Sequence, residues 1–470
     1  MKRVLVCFAV ISTACAPKSK YVAPTVDVAP AFRENANWKM PEPRDAEIRG
    51  RWWELFDDPQ LNDIETRVDV SNQSIRASEA QFAQARALAH GARANLGPQI
   101  ALTPSIAIVQ PSGNRAASSF HDVYGDFLLP VSVSYEADVW GRLHGILEAN
   151  RTAAQASAAD LESARLSIHA EVAVDYFTLR GLDSEQALLD TTVAAFERAR
   201  ELTENRFRGG IASQADVALA ETQLETTRAQ AVDVRSARAA LEHAIAVLAG
   251  QPASTFAIPA SPLTAAPPPV PVGVPSSLLE RRPDIAAAER RVASASAQVG
   301  VATSAFYPIL TLSAAGGFEA SSIGAWFAGA SGFWTAGPSL VVNLFDNGRR
   351  KAVKEQAVAQ YDLATASYRQ SVLVAFREVE DQLSALRVLD EEARVQDRAV
   401  AASERSLTLA NNRYRGGVTS YLEVLATQSA ALNNQRAAVN ILIRRMNATV
   451  LLLQGLGGGW NVAALPVIPN

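Results

Sequence analysis

Apolar and polar residues alternate in two stretches of the first half of the chain. In "IALTPSIAIV" (100–109), Ile100, Leu102, Ile106 and Ile108 share one face, and Ala101, Thr103, Ser105 and Ala107 the other. In "DFLLPVSVSYEADV" (126–139), Phe127, Leu129, Val131, Val133, Tyr135 and Val139 share a face opposite Asp126, Ser132, Ser134, Glu136 and Asp138. Period two predicts strands with one apolar face and one that tolerates water. The pair recurs as "ILTLSAA" and "SLVVNLF", inside residues 292–345, where Glu319 is the single charge.

Around these strands the period changes. Residues 60–95 are rich in Ala, Gln and Arg and lack Pro, which predicts a helix, with Pro59 suited to its start. From 142 to about 206 there is no Pro, and Gly181 is the only Gly between Gly145 and Gly209. A helix of that length is on the order of 95 Å long. Ala154, Ser157, Leu161, Ala164 and Ile168 step by three and four, as do Ala357, Tyr361, Ala364, Tyr368, Val372, Ala375, Val379 and Leu383. Such seams predict coiled-coil packing, and their small residues predict close approach.

The plan is written twice. "NRFRGGIASQADV" (205–217) returns as "NRYRGGVTSYLEV" (412–424), 207 residues later, with seven of thirteen positions identical. Each copy reads as the tip of a helical hairpin. The long helix stops at Gly209–Gly210 or Gly416–Gly417, and a shorter helix, about 213–249 in the first copy, returns behind a capping Ser213. Repeat one spans 59–250 and repeat two 278–457, with a tail at 458–470. The connector, 251–277, holds eight of the 23 prolines and must be extended.

Composition narrows the function. The net charge is −4, with no basic stripe, so nucleic acid is not expected as a partner. The five histidines all lie in repeat one, with no pair at metal-ligand spacing, and no Walker-type Gly-Lys-Ser/Thr occurs. The chain reads as a non-enzyme without cofactor or metal. Both cysteines, Cys7 and Cys15, fall in the first fifteen residues. Lys2 and Arg3, the apolar "VLVCFAVI" and then "STAC" read as a signal peptide over 1–14. The small residue before Cys15 resembles the lipobox of bacterial lipoproteins. That resemblance implies lipidation of Cys15 and a lipid-anchored segment at 15–58, although Ser12 stands where Leu is usual. A plain signal peptide with a free Cys15 is the alternative. Ala16 favours sorting to the outer membrane.

Four strands with a lipid-compatible face cannot close a barrel alone, so several chains are required. The stretches "WWELFDDPQLN" (52–62), "LLERRPDIAAAERRVASASAQVGVATSAFYPIL" (278–310), "NLFDNGRR" (343–350), "AFREVEDQL" (375–383) and the two tips together resemble the TolC/OprM-type outer-membrane efflux proteins, lipoprotein branch. The resemblance implies a mainly α fold with a transmembrane β-barrel portion. It implies a homotrimer, with a twelve-strand barrel continuing into a helical coiled-coil tunnel through the periplasm. It also implies a periplasmic adaptor and an inner-membrane pump, proton-driven, as partners. The expected function is the exit duct of a drug or small-toxin efflux system. The outer-membrane duct of a type I protein secretion system is the alternative.

The same resemblance places a gate at the tips. It puts Glu423 on a pore-ring position, with Asp216 as the repeat-one counterpart and Ala426 where a second carboxylate is usual. Both carboxylates also suit a helix first turn without any pore role. Tyr414 falls on a tyrosine that holds the tip closed, and Thr419 stands where a gate arginine is found. Arg206, Arg208, Arg413 and Arg415 flank the turns, as adaptor contacts, as partners of carboxylates or simply as cations at helix C-termini. Gly209, Gly210, Gly416 and Gly417 serve the turns first and adaptor contact second. Trp326, Phe327, Phe333 and Trp334 suit an aromatic belt, an outer loop or a structural cluster.

Overall fold

The computed structural model describes residues 21–26, 28, 31–34, 50–112, 114, 123–270 and 278–468. The signal segment, Cys15 and positions 271–277 of the connector lie outside them. A 3-10 turn (Trp52–Phe56) leads into α1 (Pro59–Ser71), α2 (Gln73–Ala94), β1 (Gln99–Leu102), β2 (Ser105–Val109), β3 (Tyr124–Ala137), α3 (Arg142–Arg208) and α4 (Gln214–Leu248). The second copy runs α5 (Leu278–Arg281), α6 (Pro283–Ser304), β4 (Ile309–Ala320), β5 (Gly332–Val341), α7 (Arg349–Arg415) and α8 (Tyr421–Gly455). Both long helices have 67 residues and both returning helices 35.

Three expected elements differ in the structure. Asn72 splits the 60–95 helix: its backbone is extended, its side-chain oxygen caps Ile75 N–H, and its amide donates to the Leu248 carbonyl at 2.8 Å. The break lets the end of α4 meet the start of α2. Thr103–Pro104 splits the first strand, since proline has no N–H for the ladder. In repeat two the last strand ends at Val341, short of the "SLVVNLF" reading to 345.

The strands form one antiparallel sheet, β1/β2–β3–β4–β5. Its register stacks the alternation of the sequence. Ile100 pairs with Val133, Val133 with Ala314, and Ala314 with Ala336; Leu102, Val131, Gly316 and Trp334 form the next row. Asp126, Ser132, Ser134, Thr311 and Ser313 occupy the other face. No strand residue is buried on either face, and β1/β2 and β5 are edges without a partner among the described residues. Phe127, Trp326, Phe327 and Phe318 cluster at one end of the sheet, and Trp140 stacks on Tyr307 at the other.

Below the sheet, α3 packs against α2, α4, α6 and α8, whereas α7 packs against α6 and α8. The expected seams are buried in part: Tyr368, Val372, Ala375, Val379 and Leu383 are buried along α7, and Ala154, Leu161 and Ile168 along α3, whereas Ser157, Ala164, Ala357, Tyr361 and Ala364 are half-buried. The main core lies at mid-length, where Trp52, Trp53 and Phe56 cover Tyr176 and Phe177. The extended connector is stapled there. Arg180 donates to the Pro259 carbonyl and Arg238 to the Ile258 carbonyl, both at 2.6 Å, while Asp183 accepts Ser261 N–H. Near the N-terminus, the backbone N–H groups of Arg33 and Glu34 both donate to the Glu380 carboxylate.

Candidate functional site: the paired helix tips

Each long helix ends in the same hydrogen-bonded turn. Gly210 N–H donates to the Phe207 carbonyl and Ile211 N–H to the Arg206 carbonyl; Gly417 and Val418 repeat this with Tyr414 and Arg413. This is a Schellman closure, which requires a left-handed residue at its second glycine. Gly210 and Gly417 have φ of 76° and 74°, but Gly209 and Gly416 sit at −81° and −76°. Only the second glycine of each pair is therefore needed by the backbone.

Behind tip one, Ser213 and Asp216 form a reciprocal capping box. Ser213 Oγ accepts Asp216 N–H at 3.1 Å, and Asp216 accepts Ser213 N–H at 3.0 Å. Such a cap contributes about 1 kcal/mol. Behind tip two, Ser420 makes no side-chain cap, and Glu423 turns elsewhere. Its carboxylate accepts from Arg413 at 2.9 Å and from the Thr419 hydroxyl. Asp216 and Glu423 thus occupy matching positions but do different local work.

The arginines also part company. Arg208 pairs with Glu204 one turn back, and Arg415 is exposed. Arg206 crosses to the other hairpin. Its Nη1 donates to the Tyr414 carbonyl at 3.0 Å and lies 3.5 Å from that of Arg415, and its guanidinium sits 4.6 Å from the centre of the Tyr414 ring. A cation there meets the negative end of α7, at the Tyr414 carbonyl, which also accepts Gly417 N–H, and beside the Arg415 carbonyl.

Tyr414 is buried at this junction. Its hydroxyl lies 3.3 Å from Thr203 Oγ1, whose own proton goes to the Ala199 carbonyl, so the tyrosine donates. Its ring meets Tyr421 edge-on at 5.5 Å, within a small core that includes Ala220, Ala410 and Val424. Burial pushes the Tyr421 hydroxyl up, to about 12, with Tyr414 adding to the shift. Outside this core the turns expose Ile211, Val418 and Leu422, each at least 60 % exposed.

Sequence reasoning reached Tyr414 and Arg206 but missed Thr203 and Tyr421. A signal existed in the comparison of repeats. At the 207-residue offset, Tyr414 and Tyr421 face Phe207 and Gln214, both exposed. The aromatic pair therefore belongs to tip two alone. Among the described residues no group of His, Cys, Asp and Glu side chains has the makings of a metal site, and no helix is long and apolar enough to cross a membrane.

Known proteins share this architecture. The chain is 31 % identical over 447 residues to the pyoverdine export outer membrane protein OpmQ of Pseudomonas putida, covering 93 % of each. It is 29 % identical over 453 residues to the toluene efflux pump outer membrane protein TtgC of Pseudomonas putida, covering 95 % of this chain and 93 % of that one. Among solved structures, the outer-membrane channel OprN superposes with a TM-score of 0.88 at 30 % identity, over 95 % of this chain and all of the other. The description "outer membrane efflux protein" matches residues 67–251 and again 274–458, one segment for each copy of the plan. The chain belongs to the outer membrane efflux protein family.

Proposed function

We propose that three copies of the chain close a twelve-strand barrel in the outer membrane, continued by a helical tunnel through the periplasm. One observation carries this reading: a sheet with a bare apolar face and two open edges leads directly into paired 67-residue helices. Lipid accepts a sheet only when every edge is paired, and four strand positions per chain need further copies to do so. Each long helix is on the order of 100 Å. The side of α7 that lacks a helical neighbour exposes Leu363, Leu373, Val395 and Leu409, and the far side of the chain exposes Leu88 and Val232. These flanks suit each other across a copy-to-copy seam.

In this reading the protein is the passive exit duct of a tripartite efflux system, lipid-anchored at Cys15. It works with a periplasmic adaptor and a proton-driven inner-membrane pump. The relatives named for toluene and pyoverdine support small-molecule cargo rather than exported proteins. The tips form the gate at the inner end. Arg206, Thr203, Tyr414 and Tyr421 hold hairpin two against hairpin one. Glu423 adds negative charge at the mouth, tempered by Arg413, with Asp216 retained as a cap. The exposed turns, with Arg208, Gly209, Gly210, Arg415, Gly416 and Gly417, receive the adaptor.

Dye retention in a deletion strain tests the duct. Deletion is expected to raise retention, and restoring the gene lowers it only while the proton gradient stands. Retention that never responds to the gene, across several dye classes, would turn the reading toward protein secretion.

A further inference from the structure

At mid-length each repeat clamps its short helical segment onto a long helix, and the two clamps are chemically different. In repeat one, His169 of α3 is 4 % exposed. Its Nδ1 lies 2.7 Å from Glu65 Oε2 and its Nε2 3.0 Å from Asp69 Oδ1, both carboxylates belonging to α1. Trp53 stacks on the ring at 4.4 Å between centroids. Only an imidazolium donates from both nitrogens at once. Glu65 is fully buried, and its second oxygen has no hydrogen-bond partner, so its tie to α3 runs through His169.

Repeat two has no titratable counterpart. At the 207-residue offset His169 becomes Phe376, a partly buried ring packed on the same core. The clamp there is Arg282. It bonds Glu378 at 2.8 Å, the Gly455 carbonyl at 3.2 Å, and Asp284 at 2.7 and 3.0 Å. A guanidinium keeps its proton across the whole accessible range.

We propose that His169 is a pH-operated clamp, whose imidazolium ties α1 to α3 and whose deprotonation releases the repeat-one side of the waist while Arg282 holds the repeat-two side. Charged groups reach the cluster from three elements: Glu65 and Asp69 from α1, Arg165 from α3, and Arg51 ahead of the 3-10 turn. Burial favours the neutral ring, but the bonds to Asp69 and Glu65 outweigh it and raise His169 to about 9. A histidine raised above its unfolded value contributes stability that is complete below about 6.5 and is lost as pH rises through about 9. Burial also pushes Glu65 up, to about 7, against the pull of His169. That shift has the same sign, but its contribution is lost between 4.5 and about 7, so the release above neutral pH belongs to His169.

Amide hydrogen exchange of the full-length protein in detergent, corrected for intrinsic rates, reads each clamp separately. Between pH 7 and pH 10, protection of residues 59–71 is expected to fall at least about tenfold, the equivalent of one unit of a pKa shift. Protection of residues 283–292 is expected to hold. In His169→Gln the step in 59–71 disappears. In Asp69→Asn, a change at a half-exposed position that spares the core, its midpoint moves to lower pH. A step that survives unchanged in His169→Gln overturns the proposal. So does a midpoint unmoved by Asp69→Asn, should the histidine variant fail to fold.

Discussion

Arg206 and Tyr414, 208 positions apart, form one joint: the guanidinium lies 4.6 Å from the ring centre and donates to the tyrosine's own carbonyl at 3.0 Å. The joint ties the end of α3 to the end of α7, and so one hairpin tip to the other. Its equivalent in the second copy does not exist, because Arg413 bonds Glu423 within its own hairpin. The two tips are thus related by sequence but not by bonding.

Removing the Tyr414 hydroxyl loses one neutral hydrogen bond to Thr203, about 1 kcal/mol. Removing the Arg206 side chain loses a cation–ring contact of about 0.5–1 kcal/mol together with its carbonyl bonds. Tyr414→Phe and Arg206→Ala should each loosen the tip, and the double variant should do so close to additively, because the hydroxyl bonds Thr203 while the guanidinium bonds the ring face and the carbonyl that Phe retains. Disulfide trapping between the tips of the two hairpins, slower in each variant, is the readout.

The paired glycines should separate cleanly. Gly417→Ala forces a side chain into φ of 74° and should cost about 1–2 kcal/mol, although nothing stands near the new methyl. Gly416→Ala meets only ordinary contacts at 3.5 Å and beyond, and should be close to neutral. Thermal unfolding of the two variants side by side decides this; equal losses would mean that packing, not backbone, governs the turn.

Gly181 sits mid-way along α3, where a Cβ would lie 2.2 Å from side-chain carbons of Ile443 on α8. Gly181→Ala should cost about 1–3 kcal/mol by overpacking. Ile443→Ala in the same chain should recover much of it, which a double-mutant cycle in urea measures.

Glu423→Gln removes a carboxylate and leaves Arg413 without its partner. The net charge at the mouth rises by one per chain, so cation preference should fall. Reversal potentials under a salt gradient test the sign. An unchanged preference would assign Glu423 to the turn alone.

Much of the fold could be read from the chain. Alternation in 100–109 and 126–139 set both faces of the sheet, because a strand has one register that buries or exposes a whole row. The Gly-Gly pairs marked the tips, because a helix end needs a residue that accepts positive φ. The break at Asn72 had a weak signal, since Ser71, Asn72 and Ser74 are poor helix formers and asparagine suits an N-cap, but its tie to the Leu248 carbonyl, 176 residues away, carries none. The tip joint was hidden for a similar reason. Arg206 and Arg413 look alike in their local sequence, and only the packing of hairpin on hairpin assigns one to Tyr414 and the other to Glu423. The His169 cluster joins α1 to α3 across about a hundred positions without any recognisable spacing.

Planar-bilayer conductance of the purified protein, wild type against Arg206→Ala/Tyr414→Phe, tests the central claim most directly. A gated trimeric duct predicts small, uniform steps for the wild type and larger steps for the double variant, with both proteins running as trimers. Equal conductance from two intact trimers would contradict a gate at this joint, and an absence of conductance from both would contradict the duct itself.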